Sequence, residues 1–595
     1  MILFWTPGGM ELLLHVEGAL AKAFINRGHQ VHAVLCDGAY RACILREISC
    51  SSSVESWGAT GSSTTGRSCI ECREGTSARL RKIGIPYTFI GEYVDAQARE
   101  MLWRNTEGIT WDMLDGLRYR NIDIGKNIKS AIIRYLQGCD VAGNEAVVRE
   151  YAYSACLSAE AAHHAIMRHA PSQVIMSHGV YAEWGPALQI AFHAGIPITA
   201  WMGSYRRACY YFRNIEDTVR LDFHTMSEKA WNVCKQSDLS LQQETRLDSY
   251  IENRYRTHTS FDMKRFKEYT GESIQIRQRY APLGDKPVWG IMAHINWDTV
   301  SDYSPMAYSS FDEWIIDSIR EILHITDVQW LIKVHPAESW DNPASGVQKL
   351  IDRHFPQLPA HIRVISAEEE ISPLDFFQMI DGGITVYGTS GLELLLHGKP
   401  VILAGEAHYG GKGFTYDGLT PETYRRLLNC ASKLPPLDSD QLLLAKKYAY
   451  CYFLQRQIPI QVIFDPGSSW WNYQDDKEDL LLPGHDPFMD LICDCTLNGR
   501  DFILPENLVP DAEKVFAMEQ TTENSADVND SENNEVIISL VEQASQAIRL
   551  NNFILARDLV TQLLSEYGHS NFIDRNEFST VLSVLNKKIE SLPIC

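Results

Sequence analysis

Short apolar runs alternate with segments of helical period along most of this chain, and they do so in two consecutive series. The first series has apolar runs at 2–5, 31–35 and 86–90 around a helical stretch at 12–25, and it resumes as strand, helix and strand at 173–177, 187–193 and 196–201. The second runs through 287–292, a helix at 311–323, then 329–334, 362–365, 383–386, a helix at 392–397, and 401–404. Strands joined by crossover helices pair in parallel, so each series predicts a doubly wound sheet, and together they predict an α/β protein of two facing Rossmann-like domains. Ligands of such sheets sit beyond the carboxyl ends of the strands, which directs the search for chemistry to the loops that follow them.

The length of 595 residues exceeds what one hydrophobic core sustains. The expected division is a first domain at 1–270 with a Cys-containing insertion at 36–77, a second at 271–515, an acidic linker at 516–535 and a helical tail at 536–595. In the tail Ala544, Ala547, Ala556 and Leu559 stand at helical spacing, similar to a tetratricopeptide hairpin, and offer a surface for a protein partner or self-association. A formal net charge of −22 argues against nucleic acid as a partner. No apolar run reaches the roughly 18 residues of a membrane span. The first residues lack the basic n-region of a signal peptide. The expected location is therefore cytoplasmic, with peripheral attachment at the inner face of the membrane as the alternative.

Two loops of the second series suit an anion. Lys333 and His335 close one strand, and Pro336 turns the chain there. Gly388, Thr389, Ser390 and Gly391 follow another strand and open a helix, where small residues and unpaired N–H groups favour phosphate. Glu393 in that first turn either caps the helix or accepts from a ribose. Asn296 and Asp298 follow the first strand of the series and suit sugar hydroxyls, with Trp297 beside them to stack or to fill the core. Gly8 and Gly9, at the end of the first strand, read either as ligand contacts or as a tight turn.

In the first domain, His178 and Glu183 share one loop after a strand, and either is a candidate general base. Arg206 and Arg207 end the next strand and add cationic donors. Within the insertion, Cys69-x-x-Cys72 with Cys43 and Cys50 reads either as a tetrahedral thiolate site for zinc or an iron–sulfur cluster, or as free thiols.

Residues 178–205, Asn296-Trp297-Asp298, the His-Pro motif at 333–338 and residues 388–417, including His408-Tyr-Gly-Gly-Lys412-Gly-Phe414, resemble bacterial capsule polysaccharide biosynthesis proteins. These are GT-B glycosyltransferase-like and related to Kdo transferases. The resemblance covers about residues 1–510. It implies a GT-B fold, a CMP- or UDP-sugar as donor, and hexosyl- or Kdo-type transfer to a surface or capsular glycan or another glycosylated acceptor. It also implies that His335, Thr389, Ser390 and Glu393 surround the donor nucleotide, and that no divalent metal is needed. A nucleotide-sugar epimerase of the same fold and a catalytically inactive glycan-assembly scaffold are the other readings.

Overall fold

The computed structural model of the chain describes residues 1–7, 11–44, 69–136, 145–206, 208–256, 269–298, 301–341, 345–369, 371–463 and 473–515, with 540, 543–544, 553–567, 582 and 585 of the tail. Gly8, Gly9, Cys50, Arg207, Ala547 and the acidic stretch 516–535 lie outside the described residues.

The first series supplies β1 (Ile2–Trp5), β2 (Val31–Leu35), β3 (Tyr87–Phe89), β4 (Gln173–Ser177), β5 (Ile198–Gly203) and β6 (Cys209–Asn214). The second supplies β7 (Val288–Met292), β8 (Gln329–Lys333), β9 (Ile362–Ile365), β10 (Gly382–Thr385), β11 (Val401–Leu403) and β12 (Tyr416–Asp417). A late strand, β13 (Ile458–Pro459), pairs antiparallel with β6 and so belongs to the first sheet. The orders are β13-β6-β5-β4-β1-β2-β3 and β9-β8-β7-β10-β11-β12. The second sheet is parallel throughout, and the first is parallel from β5 to β3. These two doubly wound sheets are the paired Rossmann-like domains of a GT-B fold.

Local sequence explains most of this. A parallel strand covered by helices on both faces needs an unbroken apolar run, and all four residues of β1 and all five of β4 and β7 are buried. Helix Phe311–Ile322 begins where the Ser310 side chain accepts from Glu313 N, and it lays Trp314, Ile315 and Ile319 on the second sheet. There they join Trp289, Trp330 and Ile384 in one core, each such side chain stabilising the fold by roughly 1.5–3 kcal/mol.

Three features depart from the sequence reading. The insertion is not irregular throughout, because Cys69–Lys82 forms a helix against Glu11–Asn26; a Cβ on Gly18 would lie 2.7 Å from Ile83 Cδ1. Strand β6 returns as a hairpin partner of β5. The chain after β13 also packs back on the first domain, where Arg27 donates to Leu481 O at 3.0 Å and pairs with Asp490, and Asn214 Nδ2 donates to Arg500 O at 2.9 Å.

The tail residues form a compact unit of their own, with Leu540, Ala544, Ala556, Leu559, Val560, Leu563 and Leu585 in a small core around helix Phe553–Tyr567. No helix among the described residues is long and apolar enough to cross a membrane.

Candidate active site

Strands β8, β7 and β10 are neighbours in the middle of the second sheet, and their carboxyl ends carry His335, His294 and Gly388. His294 Nε2 accepts from the backbone N–H of Val386 at 3.1 Å and of Tyr387 at 3.2 Å, and it lies 3.0 Å from the Thr385 hydroxyl. Burial pushes this imidazole down to about 3, with His335 beside it acting in the same direction, so it stays neutral and pins the loop. Close packing then selects glycine. A Cβ on Gly388 would lie 2.8 Å from Thr385 Oγ1, and one on Gly391 would lie 2.1 Å from the Tyr409 hydroxyl oxygen, which donates to Gly388 O at 2.7 Å. Helix Thr389–Leu396 opens at this point, and the first N–H groups of a helix have no intrahelical acceptor.

Nδ1 of His335 accepts from Ala337 N at 3.1 Å. Lys333 turns toward the β9 side, where Nζ donates to Ser366 O at 3.3 Å, and burial lowers it to about 8. Glu393 pairs with Arg254 at 2.8 Å. Asn296 is buried inside the second domain, donating to Asp312 Oδ1 at 2.6 Å and Ser345 O at 3.1 Å. Asp298 instead faces the first domain and receives Arg134 Nη1 at 2.6 Å and the Tyr181 hydroxyl.

The loop after β4 is strained and held from across the cleft. His178 and Tyr181 have φ of 25° and 66°, which is unusual for residues with a Cβ. Tyr181 N donates to Asp302 Oδ2 at 2.6 Å, and Asn127 Nδ2 donates to the same oxygen at 2.9 Å. His178 packs against Tyr181 and Trp184 with 7% of its surface exposed, its Nδ1 accepting from Val180 N at 3.3 Å. Burial brings it to about 3, and Arg134 adds to the effect. The Glu183 carboxylate points elsewhere and accepts from Ile44 N. His178 thus joins Arg134 and Asp298, while Glu183 stands apart from them. Arg206 lies over the Tyr250 ring at 4.5 Å.

A third group was not legible as a motif. Tyr205, after β5, brings its hydroxyl to Thr389 Oγ1 and also accepts from the Tyr452 hydroxyl at 3.1 Å. Parallel to the Tyr205 ring, at 6.2 Å between centroids, lies His224. Its Nδ1 is 3.1 Å from Asp222 Oδ1 and 3.1 Å from the hydroxyl of Tyr303, a residue of the second domain. Burial works to raise the Asp222 carboxyl, but His224 and the Tyr303 hydroxyl hold it below the usual carboxylate range. The only sequence signal was the Asp-x-His spacing, which is too common to single out.

Cys50 of the expected thiolate set lies outside the described residues, and among the described residues no group of three or more His, Cys, Asp or Glu could hold a metal ion. Cys69 and Cys72 lie in the first turn of their helix, and burial pushes the Cys36 thiol up to about 12.

Residues 299–433 match the model of a family described as capsule polysaccharide biosynthesis protein. The match spans the His-Pro loop, the Gly388–Glu393 loop and the His408–Phe414 stretch, in agreement with the resemblance noted from the motifs. No curated protein matches the chain. Similar solved structures include two KpsC enzymes of Thermosulfurimonas dismutans. One, a beta Kdo 2,4 transferase, is 17% identical over 47% of this chain and 80% of that one, with a TM-score of 0.31. The other, a beta Kdo 2,7 transferase, is 16% identical over 48% and 80%, with a TM-score of 0.30. A UDP-GlcNAc 2-epimerase from Neisseria meningitidis bound to UDP-GlcNAc is 11% identical over 76% and 98%, with a TM-score of 0.23. At these scores the assignment of the fold rests on the two sheets themselves.

Proposed function

We propose that this chain is a glycosyltransferase of capsule polysaccharide assembly, taking a sugar from a nucleotide-sugar donor and passing it to a glycan acceptor held between the two domains. The observation that carries this reading is the convergence of His294, His335 and the Gly388–Ser390 loop at adjacent strand ends, the last two inside the segment that matches the family. A helix N-terminus and small hydroxyl residues favour a phosphate. Charge developing on the departing phosphate would be offset there. The first domain supplies the acceptor side through Arg134, Tyr181 and His178. A transferase using cytoplasmic nucleotide sugars would work at the inner face of the membrane where the glycan grows.

The test is nucleotide release from a panel of CMP-, UDP- and GDP-sugars by the intact protein, His335→Ala and Ser390→Ala. Release from one donor that both substitutions reduce by at least about tenfold supports the reading and names the donor class. No release and no thermal stabilisation by any nucleotide would sink it.

A further inference from the structure

We propose that His224, oriented by Asp222 and Tyr303, is the general base that takes the proton from the acceptor hydroxyl; this rests on the transferase reading above. Asp222 lies between β6 and helix Glu228–Gln236, and its side chain is 1% exposed. Three groups converge on Oδ1: the backbone N of His224 at 2.9 Å, the Tyr303 hydroxyl at 2.6 Å and the His224 ring at 3.1 Å. Because Tyr303 belongs to the loop after β7, the cluster is built from both domains and is complete only when they are together. Leu221 N donates to Tyr303 O at 2.7 Å and fixes the same approach.

The chemistry follows from which nitrogen is occupied. His224 Nδ1 faces a carboxylate oxygen and a hydroxyl oxygen whose own proton goes to that carboxylate, so the ring proton sits on Nδ1 and Nε2 keeps its lone pair. Among the described residues none hydrogen-bonds to Nε2, and the His224 side chain is 18% exposed. One aromatic ring, Tyr205, separates it from the Thr389 hydroxyl at the nucleotide loop. The other groups against the ring are Phe223, Tyr211, Tyr452 and His408, the last kept neutral by burial, while Arg456 donates to the His224 carbonyl. His178 is more enclosed and Glu183 is turned to Ile44, so neither shares this arrangement.

In the step, the acceptor O–H gives its proton to Nε2 while the oxygen's electron pair forms a bond to the anomeric carbon. The bond from that carbon to the phosphate oxygen breaks, and its electron pair leaves on the nucleotide. The imidazolium faces the Asp222 carboxylate and then loses its proton to solvent.

The test follows nucleotide release from the same donor panel, with water or added glycan as acceptor, across about pH 5 to 9. It compares the intact protein with His224→Gln and Asp222→Asn, and thermal stabilisation by free nucleotide is read separately. General-base catalysis is worth roughly 10²–10⁴-fold, so His224→Gln is expected to lose about 100-fold in release and the rising limb of the pH–rate profile. Asp222→Asn is expected to displace that limb, and both variants to keep nucleotide stabilisation. Release by His224→Gln at the intact rate, with the limb in place, overturns the assignment and leaves the transferase reading standing. If His224→Gln loses nucleotide stabilisation, Asp222→Asn decides, and an unmoved limb overturns the assignment. Absence of release from every donor by the intact protein removes the transferase reading and the base with it.

Discussion

Arg254 and Glu393 form an ion pair, Nε to Oε1 at 2.8 Å, with side chains only 4% and 5% exposed. Arg254 lies in the last turn of helix Leu241–Arg256, and Glu393 lies in the helix that opens at the nucleotide loop. Glu393, which the family resemblance places on the donor, thus commits one carboxylate oxygen to another side chain and holds the loop in position through it. Arg254 also lies over the Tyr205 ring at 4.5 Å, so the pair braces the two hydroxyls that meet at Thr389.

Breaking this pair on one side leaves a buried charge uncompensated. Glu393→Ala is expected to destabilise the protein by about 3–5 kcal/mol, whereas the double change Arg254→Met with Glu393→Leu recovers most of that loss. Denaturant midpoints of the three proteins check it, and a double variant no more stable than Glu393→Ala would contradict it.

Asp302 gives a pH dependence of defined sign. Burial raises its carboxyl to about 6, although Tyr181 N and Asn127 donate to it. The folded state therefore binds the proton more tightly than the unfolded chain. That contribution is complete below the ordinary carboxylate value and is lost as pH rises through about 6. The stability of the intact protein relative to Asp302→Asn should fall by up to about 3 kcal/mol between roughly pH 4 and 7, as unfolding curves across that range would reveal.

Lys333 is held near 8 by burial, and an adjacent phosphate would favour its ammonium form. Nucleotide binding is then coupled to proton uptake, and affinity should fall about tenfold from pH 7 to 9. Calorimetry in buffers of different ionisation enthalpy measures that uptake, and Lys333→Met should abolish it.

Gly391 is selected by the Tyr409 hydroxyl, 2.1 Å from where a Cβ would sit. Gly391→Ala should cost about 1–3 kcal/mol through overpacking and weaken nucleotide binding. Adding Tyr409→Phe, which removes the clashing oxygen, should restore part of both; thermal melts with and without nucleotide distinguish that rescue from simple additivity.

The two sheets were legible because hydrophobic period is a local property. Apolar runs of the right length between helical segments located β1, β2, β4 and β7 to within a residue, and the rule for parallel sheets directed attention to His335 and Gly388. Strand β6 escaped the same test, since it follows β5 as a hairpin with no helix between them to mark the alternation. Asn296 lies in the expected loop, but its partner Asp312 is on the helix behind, a direction that spacing along the chain does not encode.

Patterning along the chain thus decided the fold class, the two large sheets and which loops stand at their carboxyl ends, because each depends on neighbours a few residues apart. Tertiary structure alone decided the partners. Arg254 meets Glu393 across 139 residues, Asp222 meets Tyr303 across 81, and Tyr205 meets Thr389 across 184. Such pairs form only after both domains have folded and closed long loops, and what sets a side chain's charge and proton position there is desolvation and the identity of a distant neighbour.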